Sequence, residues 1–226
     1  MKKTKALFIA VHPDDETLGC GGTILKHKDN GDEIYWLIIT SPTRNYSASY
    51  SDEFIEERRQ LVNKIASEYT FDKTYCLDFP TQCVHQLDLL DMIKQIDKVI
   101  TEIKPTIIYT MFNNDVHSDH RRTFEAVYSC TKSFRKPYIE KIYMFEALSE
   151  TEFALSTQAT SFSPNVFVDI TKYMNKKLEI MKTYRSEVME FPYPRSLSSI
   201  EALARVRGSR AGVQYAEAFM LLYEKC

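Results

Sequence analysis

The sequence predicts an α/β fold with a mostly parallel sheet. Short apolar runs recur along the chain, helical patterns separate them, and 226 residues suffice for one sizeable core but are short for two. Lys5–Val11 and Glu33–Thr40 (EIYWLIIT) read as strands buried on both faces of a sheet. Gly22–Asn30, closed by Gly31, reads as the helix between them, so the first forty residues form a βαβ unit. Ser51–Tyr69 is a charged helix and Lys73–Leu77 a third strand. In Leu87–Ile103 the residues Leu89, Ile93, Ile96, Ile100 and Ile103 recur at three- and four-residue steps, an amphipathic helix. Pro105 separates it from the strand Thr106–Thr110. Asp119–Thr131 follows as a helix, and Ile139–Glu146 and Val166–Ile170 as strands. Thr171 is placed to N-cap a Lys-rich helix ending near Tyr184. No linker, repeat or low-complexity tract divides residues 1–226, so one domain is expected, with the last sixty residues wrapping the sheet and shaping a pocket.

Composition narrows the function classes. Apolar residues make up 44% and charged residues 27%, the proportions of an ordinary globular protein. A net charge of -2 without a Lys/Arg run gives no footprint for nucleic acid. No stretch approaches the roughly 18 apolar residues of a membrane span, and Ala6–Val11 is too short for a signal-peptide core. Five cysteines without a C-x-x-C pair suit reduced thiols, so a cytoplasmic protein is expected. Nothing in the pattern reads out an oligomeric state.

Two short segments carry chemistry. His12-Pro13-Asp14-Asp15-Glu16 ends the first strand, and His117-Ser118-Asp119-His120 follows the strand at Ile107–Tyr109. Ligands of such sheets bind beyond the carboxyl ends of the strands, so both loops should open on one edge. A catalytic zinc commonly takes three ligands from His, Asp or Glu and leaves one position for water. His12, Asp15 and one of His117 and His120 supply such a set. A metal so held makes hydroxide available near neutral pH. Asp14 is the natural acceptor of the water proton, and the remaining histidine could stabilise an oxyanion with Asp119 orienting it. Each segment alone has a plainer reading: acids at a helix N-terminus favour its dipole, and a His-bearing loop can simply be solvated. Their conjunction behind two buried strands favours the metal reading.

These residues resemble the zinc-dependent de-N-acetylases of the phosphatidylinositol-glycan deacetylase (PIG-L/LmbE-like) family. Ala10-Val11-His12-Pro13-Asp14-Asp15-Glu16 matches its A-x-H-P-D-D-E segment and His117-Ser118-Asp119-His120 its H-x-D-H segment. Arg207-Gly208 through Tyr215-Ala216-Glu217-Ala218-Phe219 is similar to its C-terminal pattern. The resemblance implies a Rossmann-like three-layer sandwich. It implies His12, Asp15 and His120 as metal ligands, Asp14 as general base, and His117, oriented by Asp119, as the group that polarises the acetyl carbonyl. The reaction implied is hydrolysis of the N-acetyl group of a small amino sugar, such as an N-acetylglucosamine-type conjugate or nucleotide-linked sugar. Zinc is the expected cofactor, and a face of two histidines and one carboxylate also suits ferrous iron. Arg58 or Arg59, and Asp78 after the third strand, stand where the family binds substrate. The tyrosine that some relatives carry before H-x-D-H is replaced here by Asp115-Val116, leaving Tyr46, Tyr50 or Tyr193 to approach from other loops.

Other features invite plainer readings. Gly19, Gly21 and Gly22 lack the G-x-G-x-x-G order and read as a tight turn from loop to helix. His27 and His85 read as solvent-side residues, and Cys20 as a small buried hydrophobe. Thr43–Asp52 reads as a substrate lid or specificity loop and Phe191–Ser199 as a second rim. The rival functions are a metal amidohydrolase acting on a non-sugar amide and a catalytically silent sugar-binding relative; the full set of candidate ligands disfavours the second.

Overall fold

The computed structural model describes residues 3–42 and 50–226. Its strands are β1 (Lys5–Ala10), β2 (Glu33–Ser41), β3 (Lys73–Pro80), β4 (Ile107–Met111), β5 (Lys141–Phe145), β6 (Val166–Asp169) and β7 (Ala216–Glu224). Its helices are α1 (Asp15–Asp29), α2 (Asp52–Tyr69), α3 (Leu89–Ile103), α4 (Ser118–Ser129), α5 (Met174–Met181) and α6 (Leu197–Ala211). The strands form a single sheet in the order β3-β2-β1-β4-β5-β7-β6, with helices on both sides. The first five pair in parallel; β7 runs antiparallel between β5 and β6. Among the described residues no helix is long and apolar enough to cross a membrane.

The order places the site. From β1 the chain moves to β2 and β3 on one side, then crosses to β4 on the other. The carboxyl ends of β1 and β4, paired through Ala6–Ile107 to Phe8–Tyr109, therefore flank the point where the order reverses. Crevices at such points hold ligands in open α/β sheets. Ala6 to Val11 are wholly buried, as an apolar run covered on both faces must be.

Several expected elements differ. The helix expected from Gly22 begins seven residues earlier, at Asp15, directly behind His12-Pro13-Asp14. Gly19, Gly21 and Gly22 are thus inside α1 and form no turn. Their role is close packing: a Cβ on Gly22 would fall 2.6 Å from Ile170 Cβ, and one on Gly19 would strike the Phe145 ring. β3 continues three residues past Leu77. Thr171 does not cap α5, whose N-cap position is Tyr173; its hydroxyl accepts from Tyr215 N–H at 3.2 Å. His27 is not a solvent-side residue. It is half-buried, its Nδ1 2.7 Å from Asp32 Oδ2 and its Nε2 3.0 Å from the Tyr109 hydroxyl. The last sixty residues contribute two strands to the sheet as well as covering it.

A buried ion pair fastens α1 to this C-terminal part. Lys177 Nζ donates to Glu217 Oε1 at 2.7 Å and to the Leu18 carbonyl at 2.8 Å. Glu217 also accepts from the N–H groups of Gly22 and Thr23. Leu18 and Gly22 are i, i+4 partners of a regular helix, so the pair sits astride one rung of α1. Both side chains are 4% exposed. Removing one partner would strand the other charge away from water. Glu217→Ala should therefore destabilise the protein by about 3–5 kcal/mol, a fall in Tm of roughly 6–20 °C; thermal unfolding within a degree or two of the parent would show that the pair adds nothing.

Candidate active site

Both chemical segments begin a helix at the same sheet edge. Asp14 occupies the N-cap position of α1 at φ 155°, ψ −28°, backbone angles that L-residues avoid and that recur at strained functional sites. Asp15 is the first residue of α1, and its Oδ2 accepts from the N–H groups of Val11 (3.0 Å) and His12 (2.9 Å), where β1 ends. His117 is the N-cap of α4; its Nδ1 accepts from Asp119 N–H at 3.1 Å.

The three histidines converge. His12 lies 4.7 Å from His117 and 5.5 Å from His120 between ring centroids, and His117 and His120 are 5.5 Å apart. One nitrogen each from His12 and His120 and one carboxylate oxygen of Asp15 lie within 4.8 Å of one another. His120 Nε2 is 3.4 Å from Asp15 Oδ2, the separation of about 3.4 Å expected of two donors on one tetrahedral zinc. Nε2 of His12 and Nε2 of His120 are both buried and without a hydrogen-bond partner. Buried polar atoms rarely stay unpaired, so two orphaned imidazole nitrogens beside one carboxylate fit a cation. A second group of His12, His117 and Asp119 is equally compact. Its donors are already committed: His117 Nδ1 to Asp119 N–H, and the Asp119 carboxylate to the N–H groups of Gln82 (2.7 Å) and Val84 (3.3 Å). The His12–Asp15–His120 group could hold a metal; the donor set alone does not say which.

The electrostatics follow from burying so many acids. Burial, with the Asp15 charge behind it, pushes Asp14 up to about 8 against the pull of Arg195. Burial also raises Glu16, to about 7, although Thr17 and Tyr184 hydroxyls donate to its carboxylate. Burial opposes the ionised form of Asp15, yet His120 and His12 hold it well below the usual carboxylate range. Burial likewise disfavours a charged His120, but Asp15 and Asp115 outweigh it and hold the imidazole well above its ordinary value. His117 is lowered to about 4 by burial and by the two neighbouring histidines. It is therefore neutral at pH 7, and with Nδ1 accepting, its proton sits on Nε2.

Three placements add to or revise the sequence reading. Asp119 is tied to His117 through its backbone N–H; its carboxylate instead lies 3.5 Å from His12 Nε2. Asp115, read only as the occupant of a tyrosine position, is fully buried and bonds His120 Nδ1 at 2.8 Å while accepting from Thr151 Oγ1 at 2.6 Å. That bond fixes the His120 tautomer and leaves Nε2 for a metal, as carboxylate partners of metal-binding histidines do. Arg195 is the residue no local signal revealed. Its Nη1 bonds Asp14 Oδ2 at 2.6 Å and Glu187 Oε2 at 3.1 Å, and its Nη2 bonds Glu150 Oε1 at 3.2 Å.

A cleft of about 290 Å3 opens onto His12, Asp14 and His117. Arg58 lines it and bonds Glu187 Oε1 at 2.7 Å. Arg59 does not line it; exposed, it pairs with Glu56 at 2.9 Å. Asp78, at φ 55°, lines with Arg59 a separate apolar pocket of about 150 Å3 that also touches Pro13 and Arg58. Tyr50 lines the cleft, Tyr193 is not among its lining residues, and Tyr46 lies outside the described residues, as do residues 43–49 of the expected lid. From the expected rim Phe191–Ser199 only Arg195 reaches the cleft. Cys20 is buried away from the metal-binding group, and His85 is exposed.

Because His120 is raised, it is protonated at neutral pH in the metal-free protein, and its stabilisation there is present below the ordinary imidazole pKa and lost as pH rises through the raised value. A metal must displace that proton. Titrating a divalent ion into metal-free protein at pH 7, in two buffers of different ionisation enthalpy, should show release of about one proton and an affinity that climbs with pH; no proton release would exclude His120 as a ligand.

Residues 7–131, more than half the chain, match the family model described as GlcNAc-PI de-N-acetylase (PIG-L). A diacetylchitobiose deacetylase of Thermococcus kodakarensis is 27% identical over 223 residues, covering 94% of this chain and 81% of the relative. The solved N,N′-diacetylchitobiose deacetylase of Pyrococcus horikoshii superposes with a TM-score of 0.76 at 23% identity, over 98% of this chain and 84% of that one. The 4-carboxy-2-hydroxymuconate hydratase of Pseudomonas putida superposes nearly as well, with a TM-score of 0.74 at 16% identity over 99% and 98% of the chains, a likeness of fold alone. Family model, fold and the two histidine segments agree: the chain belongs to the PIG-L/LmbE family.

Proposed function

We propose that this protein is a metal-dependent N-deacetylase that removes the acetyl group of a small N-acetylated amino sugar, its whole chain acting as one domain. The observation that carries the reading is the pair of orphaned buried imidazole nitrogens beside Asp15, at a cleft that also exposes Asp14 and His117. The deacetylase names of the relatives support the reaction class. His12, Asp15 and His120 would hold the metal, zinc first and ferrous iron second, a choice the two-histidine, one-carboxylate donor set allows. When bound, such an ion polarises the amide carbonyl and acidifies a water.

The chain's own groups do the rest. Asp14, beside the metal-binding group at the cleft, takes the proton of the attacking water. Arg195 holds Oδ2 of Asp14 at 2.6 Å and so orients the carboxyl for that role. His117, neutral with its proton on Nε2, donates to the acetyl oxygen as negative charge develops there. Water oxygen bonds to the acetyl carbon, the C–N bond breaks, and the amine leaves with the proton returned by Asp14. Acetate and a free amino sugar result.

Asp14→Asn should keep metal at the parent's stoichiometry while kcat falls by about 10²–10⁴; His120→Ala should lose both. Elemental analysis beside acetate release separates the two, and normal turnover by Asp14→Asn at saturating zinc would remove Asp14 from the role. Asp115→Asn should weaken metal affinity by roughly 10–100-fold, read by competition with a chelating dye; affinity equal to the parent's would mean that the Asp115 bond is dispensable.

A further inference from the structure

The outer wall of the cleft carries residues that hydrolysis itself does not need. Tyr50 and Phe54 stack with ring centroids 5.2 Å apart and planes at 11°. The Arg58 guanidinium sits 5.8 Å from the Phe54 centroid. Tyr50 stands just before the N-cap of α2, and Phe54 and Arg58 lie four residues apart in its first two turns; all three line the cleft with His12, Asp14 and His117. Two partly buried stacked rings at a cleft wall offer a flat apolar face.

The charges beside that face are already matched. Among the described lining residues the arginines are Arg58 and Arg195. Arg58 is bonded to Glu187, and Arg195 to Asp14, Glu187 and Glu150. Three carboxylates thus hold two guanidiniums. A carboxylate or phosphate on an incoming ligand would have to break a charge-assisted bond, leaving a partly buried acid unpaired, while facing the remaining acids. An uncharged ring meets no such penalty. A pyranose can lay its C–H face on the aromatic stack and turn hydroxyls toward Thr81 and Gln82, which also line the cleft.

We propose that Tyr50 and Phe54 form a subsite for an uncharged pyranose ring joined to the N-acetylated sugar, and that the carboxylate-tied arginines reject anionic aglycones. The substrate class is then a neutral N-acetylated oligosaccharide, as distinct from an acid- or nucleotide-linked conjugate; this deepens the deacetylase reading and rests on it.

The test compares acetate release by metal-loaded protein from N-acetylglucosamine, N,N′-diacetylchitobiose and N-acetylglucosaminyl malate. The neutral disaccharide should exceed both others in kcat/KM by about tenfold or more, the value of one good ring contact plus the avoided charge clash. Phe54→Ala and Phe54→Leu should cut the disaccharide-to-monosaccharide ratio roughly tenfold, through KM. Glu187→Gln, which loosens both arginines, should raise the malate conjugate relative to the disaccharide. A parent that prefers the malate conjugate, or Phe54 variants that lower all three substrates equally, would overturn the subsite. If the parent releases acetate from none of the three, the deacetylase reading fails separately. The subsite is then judged by calorimetric binding of the intact disaccharide: binding that is lost in both Phe54 variants upholds it, and binding that is absent or indifferent to Phe54 ends it.

Discussion

One oxygen atom organises this molecule. Oδ2 of Asp15 accepts from the N–H groups of Val11 and His12 just past β1, belongs to the first residue of α1, and lies 3.4 Å from His120 Nε2. The strand end, the helix start and the second histidine loop are therefore indexed to a single point. Around it Asp14, Glu16, Asp115 and Asp119 are also buried. Acids packed so closely repel one another and lose hydration, and the chain answers with histidines, Arg195 and backbone N–H groups. Two imidazole nitrogens still face inward without partners, which is how a cluster looks when its charge is balanced by an ion.

The parts legible in the sequence were those with local spacing. His12, Asp15, His117 and His120 each stand within a few residues of a buried apolar run, and parallel strands deliver both loops to one edge. The period of α3 was equally local. What escaped depends on contacts remote in the chain. Arg195 meets Asp14 across 181 positions, and Glu217 meets Thr23 across 194. Neither leaves a trace in composition or period. The glycines of α1 misled because permissive φ and close approach are the same letter in a sequence; only the Ile170 and Phe145 side chains reveal which applies. Asp115 was read by what it replaced, whereas its meaning lies in its reach to His120.

The fold and the reaction are separable here. A hydratase shares the architecture to a TM-score of 0.74, so the sheet order alone cannot select hydrolysis of an amide. Selection rests on side chains: which donors converge, which acid stands beside them and with what tautomer His117 faces the cleft. The 7–131 stretch matched by the family model contains those groups, while Glu150, Glu187 and Arg195 come from the rest of the chain. The matched stretch also carries Tyr50, Phe54, Thr81 and Gln82 of the cleft wall, and the later half adds Arg195 with its carboxylate partners Glu150 and Glu187.

That division has a consequence for how such an enzyme can change. Arg195 touches Asp14 with the same guanidinium that holds Glu150 and Glu187, both of which line the cleft. Any alteration of those two residues redistributes the bonds that Arg195 makes to Asp14. Tyr50 and Phe54 line the same cleft through their stacked rings. On the proposed reading, substitutions at Tyr50 or Phe54 leave the Arg195–Asp14 bond in place, whereas those at Glu150 or Glu187 do not.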